Sequence, residues 1–139
     1  MKITVSTVVR APLSEVWNAY TTPADIMVWN TASPDWHTTS ASVDLRPGGK
    51  FSSRMEAKDG SFGFDFAGEY TQVLPRQLIE YSFGGRQATV TFVEGTAGVA
   101  VTVTFDGEQT HSEEQQRTGW QAILDNFSRH VERRTGSGQ

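Results

Sequence analysis

The sequence predicts an α+β domain in which one antiparallel sheet packs against one long C-terminal helix. An alternating apolar run opens the chain, further alternating runs follow one another between residues 41 and 106, and an amphipathic stretch closes it from residue 112. Strands that succeed each other without intervening helices pair antiparallel, which separates this class from a doubly wound parallel sheet. Six to seven strands are expected in all. The 139 residues suit one domain, placed at 1–134, with a small, polar, fraying tail at 135–139.

In the first ten residues, Ile3, Val5, Thr7 and Val9 share one face of a strand over 2–10. Pro12 suits a first helical position, and Leu13, Val16, Trp17 and Tyr20 recur at helical spacing. Thr22 before Pro23, with Asp25 in the place of a capping-box acid, predicts a second short helix ending near Trp29. Residues 30–40 are polar and turn-rich and read as the longest irregular connection, although they carry Trp36 and His37. Strands are then expected at 41–46, 50–57, 62–73, 77–83, 86–94 and 97–106. Their turns are Pro47-Gly48-Gly49, Asp59-Gly60, the segment at Pro75, Gly84-Gly85 and the stretch 94–98. Ser112 and Gln115 form a capping box for a last helix over 112–133, whose apolar stripe is Trp120, Ile123, Leu124, Phe127 and Val131.

Composition excludes several function classes. Twelve basic against sixteen acidic residues give a net charge of −4. The one basic knot, Arg129, Arg133 and Arg134, lies in the last helical turns, where cations complement the helix dipole, so no nucleic-acid partner is expected. With no cysteine, disulfides and thiolate metal sites are excluded. The N-terminus reads as a strand rather than a signal peptide, and no apolar run reaches membrane-spanning length. A cytoplasmic protein without membrane insertion is the expectation.

Catalytic motifs are sparse. His37, His111 and His130 show no metal-pair spacing, so neither a metal nor another cofactor is expected. His111, close to Glu113 and Glu114, reads as part of a helix entry. On an extended segment Asp35 and His37 face the same way, and a carboxylate can orient an imidazole as a general base. No nucleophile stands at a fixed spacing from them, so a solvated loop histidine is the plain reading. Asp65 and Glu69 read as an outward polar row.

Several segments together are similar to one superfamily. They are "APLSEVWNAYTTPADIMVW" at 11–29, "VDLRPGGKF" at 43–51, "DG" at 59–60, "GEYTQVLPRQLIEYSF" at 68–83 and "GWQAILDNFSRHVE" at 119–132. In this order they resemble the START-like, or SRPBCC, superfamily, and within it the branch named after the activator of the heat-shock chaperone ATPase. The resemblance implies a helix-grip (START/Bet v-like) fold: a curved antiparallel sheet wrapped around the C-terminal helix, two short helices after the first strand, and an internal cavity. A fold of this kind serves carriers, receptors and cyclases alike, so function has to be argued from the site.

If the domain is such a cup, strand parity selects its lining. Phe51, Ser53 and Met55 come from one strand, Phe64 and Phe66 from the next, and Tyr81 and Phe83 from the one after Pro75. Trp120 and Phe127 supply the helix face, and Trp29 and Trp36 the mouth. Ser53, His37 and Arg86 are the candidate polar contacts. The leading reading is reversible binding of a small hydrophobic or amphipathic ligand, a lipid or aromatic metabolite. The alternatives are a cyclase- or hydrolase-like enzyme using the same cavity and a chaperone-ATPase-activator-like interaction module. The last ranks third because the chain reads as one domain, without the further chaperone-binding domain of eukaryotic activators. A weak homodimer stays open.

Overall fold

The computed structural model describes residues 1–135. Strand β1 (Lys2–Val9) is followed by helices α1 (Leu13–Thr21) and α2 (Pro23–Trp29). Six strands follow: β2 (Trp36–Val43), β3 (Lys50–Ala57), β4 (Gly63–Leu74), β5 (Leu78–Phe83), β6 (Arg86–Gly95) and β7 (Gly98–Asp106). Helix α3 (Glu113–Thr135) completes the fold. The expected α+β helix-grip architecture is the one found. Thr135, the first residue of the expected tail at 135–139, is instead the last residue of α3, and residues 136–139 lie outside the described residues.

All seven strands form one antiparallel sheet in the order β1-β7-β6-β5-β4-β3-β2. The first two strands in sequence therefore lie at opposite edges, and α1 with α2 spans the distance between them. β1 joins β7 because their apolar residues coincide in register, with Ile3 opposite Phe105 and Val5 opposite Val103. At the β5–β6 turn, Gly84 and Gly85 both take positive φ, the condition for a tight hairpin whose twist matches its strands. The sheet curls into a half-barrel, and α3 lies in its concavity. Gln121 Nε2 donates to the Ser6 carbonyl at 3.0 Å and Glu132 accepts from the Arg10 amide at 2.8 Å, so α3 is tied to the middle of β1 and to the residue that follows it. The ring of Trp120 stacks on Phe105 at 3.8 Å between centroids.

Two boundaries differ from the sequence reading. The irregular connection ends at Asp35, and residues 36–40, read as loop, belong to β2, which stops at Val43. An edge strand with one solvated face needs few apolar residues, and "WHTTSASV" supplies few. Its pairing with β3 also slips between Thr38 and Ser40, which blurs the alternation. The helix-start signals also divide. Ser112 and Gln115 make the reciprocal capping box, with bonds of 3.0 and 2.9 Å. Thr22 makes no side-chain cap. Asp25 reaches away from its own helix instead: its Oδ1 lies 2.8 Å from His130 Nε2 and is also bonded by Arg134. Two members of the basic cluster thus have specific roles. Arg134 helps fasten α2 to α3, and Arg129 donates to Asn126. His111 pairs with Glu108 at 2.7 Å rather than with Glu113 or Glu114.

Candidate functional site

Between the concave face of the sheet and α3 lies a cavity of about 470 Å³. It exists because the sheet is wider than one helix can fill. Aromatic side chains on β3, β4 and β5 pack sideways on one another, as when Phe51 meets Tyr70 at 5.1 Å and Tyr81 at 5.0 Å, and only part of that layer reaches α3. Phe66 and Phe83 touch Trp120 at 6.3 and 5.8 Å, and beyond them the layer stands clear of the helix.

Parity places Phe51, Ser53, Met55, Phe64, Phe66 and Tyr81 on the cavity wall, together with Trp29, Trp36 and Trp120. Exposed Phe64 and Phe62 cluster with half-buried Trp36, at 5.9 and 6.0 Å, at the outer end of the wall. Trp29 lies deeper than a mouth residue. It is buried, and its indole N–H donates to the Ala19 carbonyl at 2.9 Å.

Four residues selected from the sequence lie off the wall. Trp36 faces inward, so its strand neighbour His37 must face out; it is exposed, opposite Glu56 in register. Asp35 sits in the preceding turn, where its carbonyl accepts from the Lys58 amide at 2.8 Å, and forms no pair with His37. Phe83 shares Tyr81's parity, but Phe66 and Trp120 pack over it and the cavity ends before it. Arg86 lies over the other side of that ring, 4.6 Å from its centroid, and donates to the Asp106 carbonyl at 3.0 Å. Phe127 is fully buried between Tyr20 and Trp29 at 5.1 Å from each and belongs to the solid core.

Several wall residues went unselected from the sequence: Tyr20 of α1, Tyr70 of β4, Ile79 of β5, and Gly119, Ile123 and Leu124 of α3. Tyr70 and Ile79 share the parity of Phe66 and Tyr81, a signal that was present. It is harder to follow to Tyr70 because Gly68 interrupts the row. A Cβ at Gly68 would collide first with the Ser82 carbonyl, at 2.1 Å, and then with the Phe51 ring, at 2.8 Å, so this glycine lets β5 and Phe51 both pack close on β4.

Gly119 is different. It stands in the interior of α3, and a Cβ there would meet no atom within 4 Å. Close packing does not demand a glycine here, and the open space beside it is the cavity. Helix interiors lose about 0.5–1 kcal/mol for glycine in place of alanine.

No Asp, Glu, Lys, Arg or His side chain lines the cavity. Its polar groups are hydroxyls and amides. All three tyrosines of the chain contribute: Tyr20, Tyr70 and Tyr81. Burial raises the pKa of each, that of Tyr70 to about 12, so all three stay protonated at neutral pH. The wall thus offers apolar area and neutral hydrogen-bond donors, without a carboxylate or imidazole to serve as general base. Among the described residues no cluster of His, Cys, Asp and Glu could hold a metal ion, and no helix is long and apolar enough to cross a membrane.

Comparison with known proteins places these features in context. The sequence profile of the activator of Hsp90 ATPase homolog 1-like proteins matches residues 10–132. An AHSA1-like protein from Aeromonas hydrophila, solved by NMR, is 44% identical, with 96% of this chain and 94% of that one aligned at a TM-score of 0.91. A solution structure from Cytophaga hutchinsonii is also 44% identical over 96% and 93% of the two chains, with a TM-score of 0.82. A crystal structure from Nitrosomonas europaea shares the fold at 19% identity and a TM-score of 0.85, over 96% of each chain. No curated protein matches the chain.

Proposed function

The chain belongs to the family of activator of Hsp90 ATPase homolog 1-like proteins, and from that premise we propose that it reversibly binds a small, largely apolar molecule in the cavity between sheet and α3. The observation that carries this reading is Gly119. A helix interior has given up side-chain packing and helix propensity at a position that borders the cavity, where a Cβ would meet only open space. The absence of carboxylates, imidazoles and amines from the wall supports a binder over the cyclase- or hydrolase-like enzyme. An apolar wall with a few convergent polar groups is the usual composition of a ligand pocket.

A second reading, docking on a chaperone ATPase, draws on the family's name and on the exposed apolar rim. Phe62 is 62% exposed and Phe64 40%, beside Trp36. The same rim serves the first reading as an entrance.

Native mass spectrometry of freshly purified protein, before and after solvent extraction, together with titration of naphthalene-type fluorescent probes, tests the proposal. A co-purifying mass, or saturable binding at one site with altered tryptophan emission, is expected. Folded protein that binds none of a broad apolar panel would leave the docking reading ahead.

A further inference from the structure

The three tyrosines of the cavity are gathered, whereas its other polar side chains, Asn30, Ser33 and Ser53, lie on the loop after α2 and on β3. Tyr70 and Tyr81 stand directly opposite each other on β4 and β5, and both rings pack on Phe51. Tyr20 approaches from α1. The three phenols are close enough to act on one another: Tyr70 opposes the ionisation of Tyr20, and both oppose that of Tyr81. None of the three hydroxyls has a hydrogen-bond partner among the described residues, and none is sealed off from open space. All three belong to one wall and open into the cavity, where they can donate to a bound acceptor.

The charge around them limits what that acceptor can be. The nearby cation, Arg86, is engaged by the Asp106 carbonyl and the Phe83 ring. Asp44 acts on Tyr70 with negative charge. A carboxylate or sulfonate buried here would find no cation on the wall to pair with, since Arg86 is held off it and Arg46 is paired with Asp44 at 2.9 Å. An uncharged oxygen with two lone pairs fits. The position sets the orientation as well. Tyr70 lies six residues along β4 from the rim residue Phe64, roughly 20 Å at the rise of a strand.

We propose that the inner end of the cavity is a subsite for an uncharged carbonyl oxygen of ketone or quinone type, held by the Tyr70 and Tyr81 hydroxyls with Tyr20 beside them. The ligand's hydrocarbon part then runs outward to Trp36 and Phe64. This inference rests on the reading of the cavity as a binding site and specifies the chemical class that it selects.

Three probes sharing one ring system test it: prodan, which is a dimethylaminonaphthalene carrying a propionyl ketone, the same ring without the ketone, and the same ring with a carboxylate in its place. The ketone should bind about tenfold tighter than the bare ring, the worth of one or two good hydrogen bonds. The carboxylate should bind weakest. In the Tyr70→Phe, Tyr81→Phe double variant the ketone's advantage should disappear while the bare ring binds as before. The carbonyl stretch of bound prodan should fall to lower frequency in the unmodified protein, which keeps the test decisive if the double variant does not fold. If the bare ring binds as well as the ketone, or the carboxylate binds best, the subsite is overturned and the cavity reading survives. If none of the three binds, the cavity reading fails and the subsite with it.

Discussion

Gly119 shows how one residue can set the character of the site. Its neighbours Trp120, Ile123 and Leu124 bring large side chains to the same helix face, and Gly119 alone leaves a gap there. Two substitutions separate its structural from its functional role. Gly119→Ala should stabilise the protein by about 0.5–1 kcal/mol, because it gains helix propensity and meets no neighbour. Gly119→Leu should fill part of the cavity, keep the fold, and weaken probe binding at least tenfold. Urea denaturation and probe titration of the two variants read these outcomes. A Gly119→Leu protein that binds like the parent would remove the cavity from the account. Gly68 is constrained in the opposite way, since the Ser82 carbonyl, with the Phe51 ring next to it, excludes any side chain there.

At the scale of elements, the fastening of α2 to α3 governs how firmly the cavity is closed on one side. Ile26 and Trp29 of α2 line it, and Asp25 on the same helix binds His130 and Arg134 of α3. The Asp25 and His130 side chains are only 14% and 11% exposed. Asp25→Ala should therefore cost about 1–3 kcal/mol, the penalty of leaving buried polar partners unmet. It should also raise amide exchange in α2 above that in β6 and β7; unchanged α2 protection would show that apolar packing alone holds the helix. The sequence carried the existence and type of every element but not this clamp. Asp25 was legible as a local cap, whereas its actual partners lie 105 and 109 residues away. Strand faces were legible where alternation was clean, as in Phe51-Ser53-Met55. They were illegible on β2, whose polar residues and shifted register hide that Trp36 and His37 must face opposite ways. Tyr20 was hidden for a different reason: it repeats as an ordinary helix-core position, and only the tertiary fold brings it to Tyr70 and Tyr81.

At the scale of the whole molecule, the cup follows from two features of the sheet. Its edge strands are joined by α1 and α2, which draw β1 and β2 around α3, and shifts of register at Thr38/Ser40 and Tyr70/Gln72 bend β2 and β4. The cavity is what a curled sheet leaves when one helix cannot touch all of it. It also gives the molecule a built-in reporter, because every tyrosine in the chain lines the cavity. Burial holds all three phenols protonated above their ordinary value of 10.0, Tyr70 up to about 12. In the unfolded chain the same groups ionise near pH 10. Since the folded pKa values are the raised ones, the stability they confer is whole below pH 10 and is lost as pH rises beyond it toward the folded values. An alkaline titration should show almost no phenolate absorbance in the native protein as pH passes 10. Absorbance should then rise steeply, together with loss of the far-ultraviolet dichroism of the folded chain. Saturating prodan should move that rise to higher pH, because a ligand that binds only the folded state adds to its stability. Three phenolates appearing gradually around pH 10, with the dichroism intact, would mean that the tyrosines face water rather than a closed apolar wall.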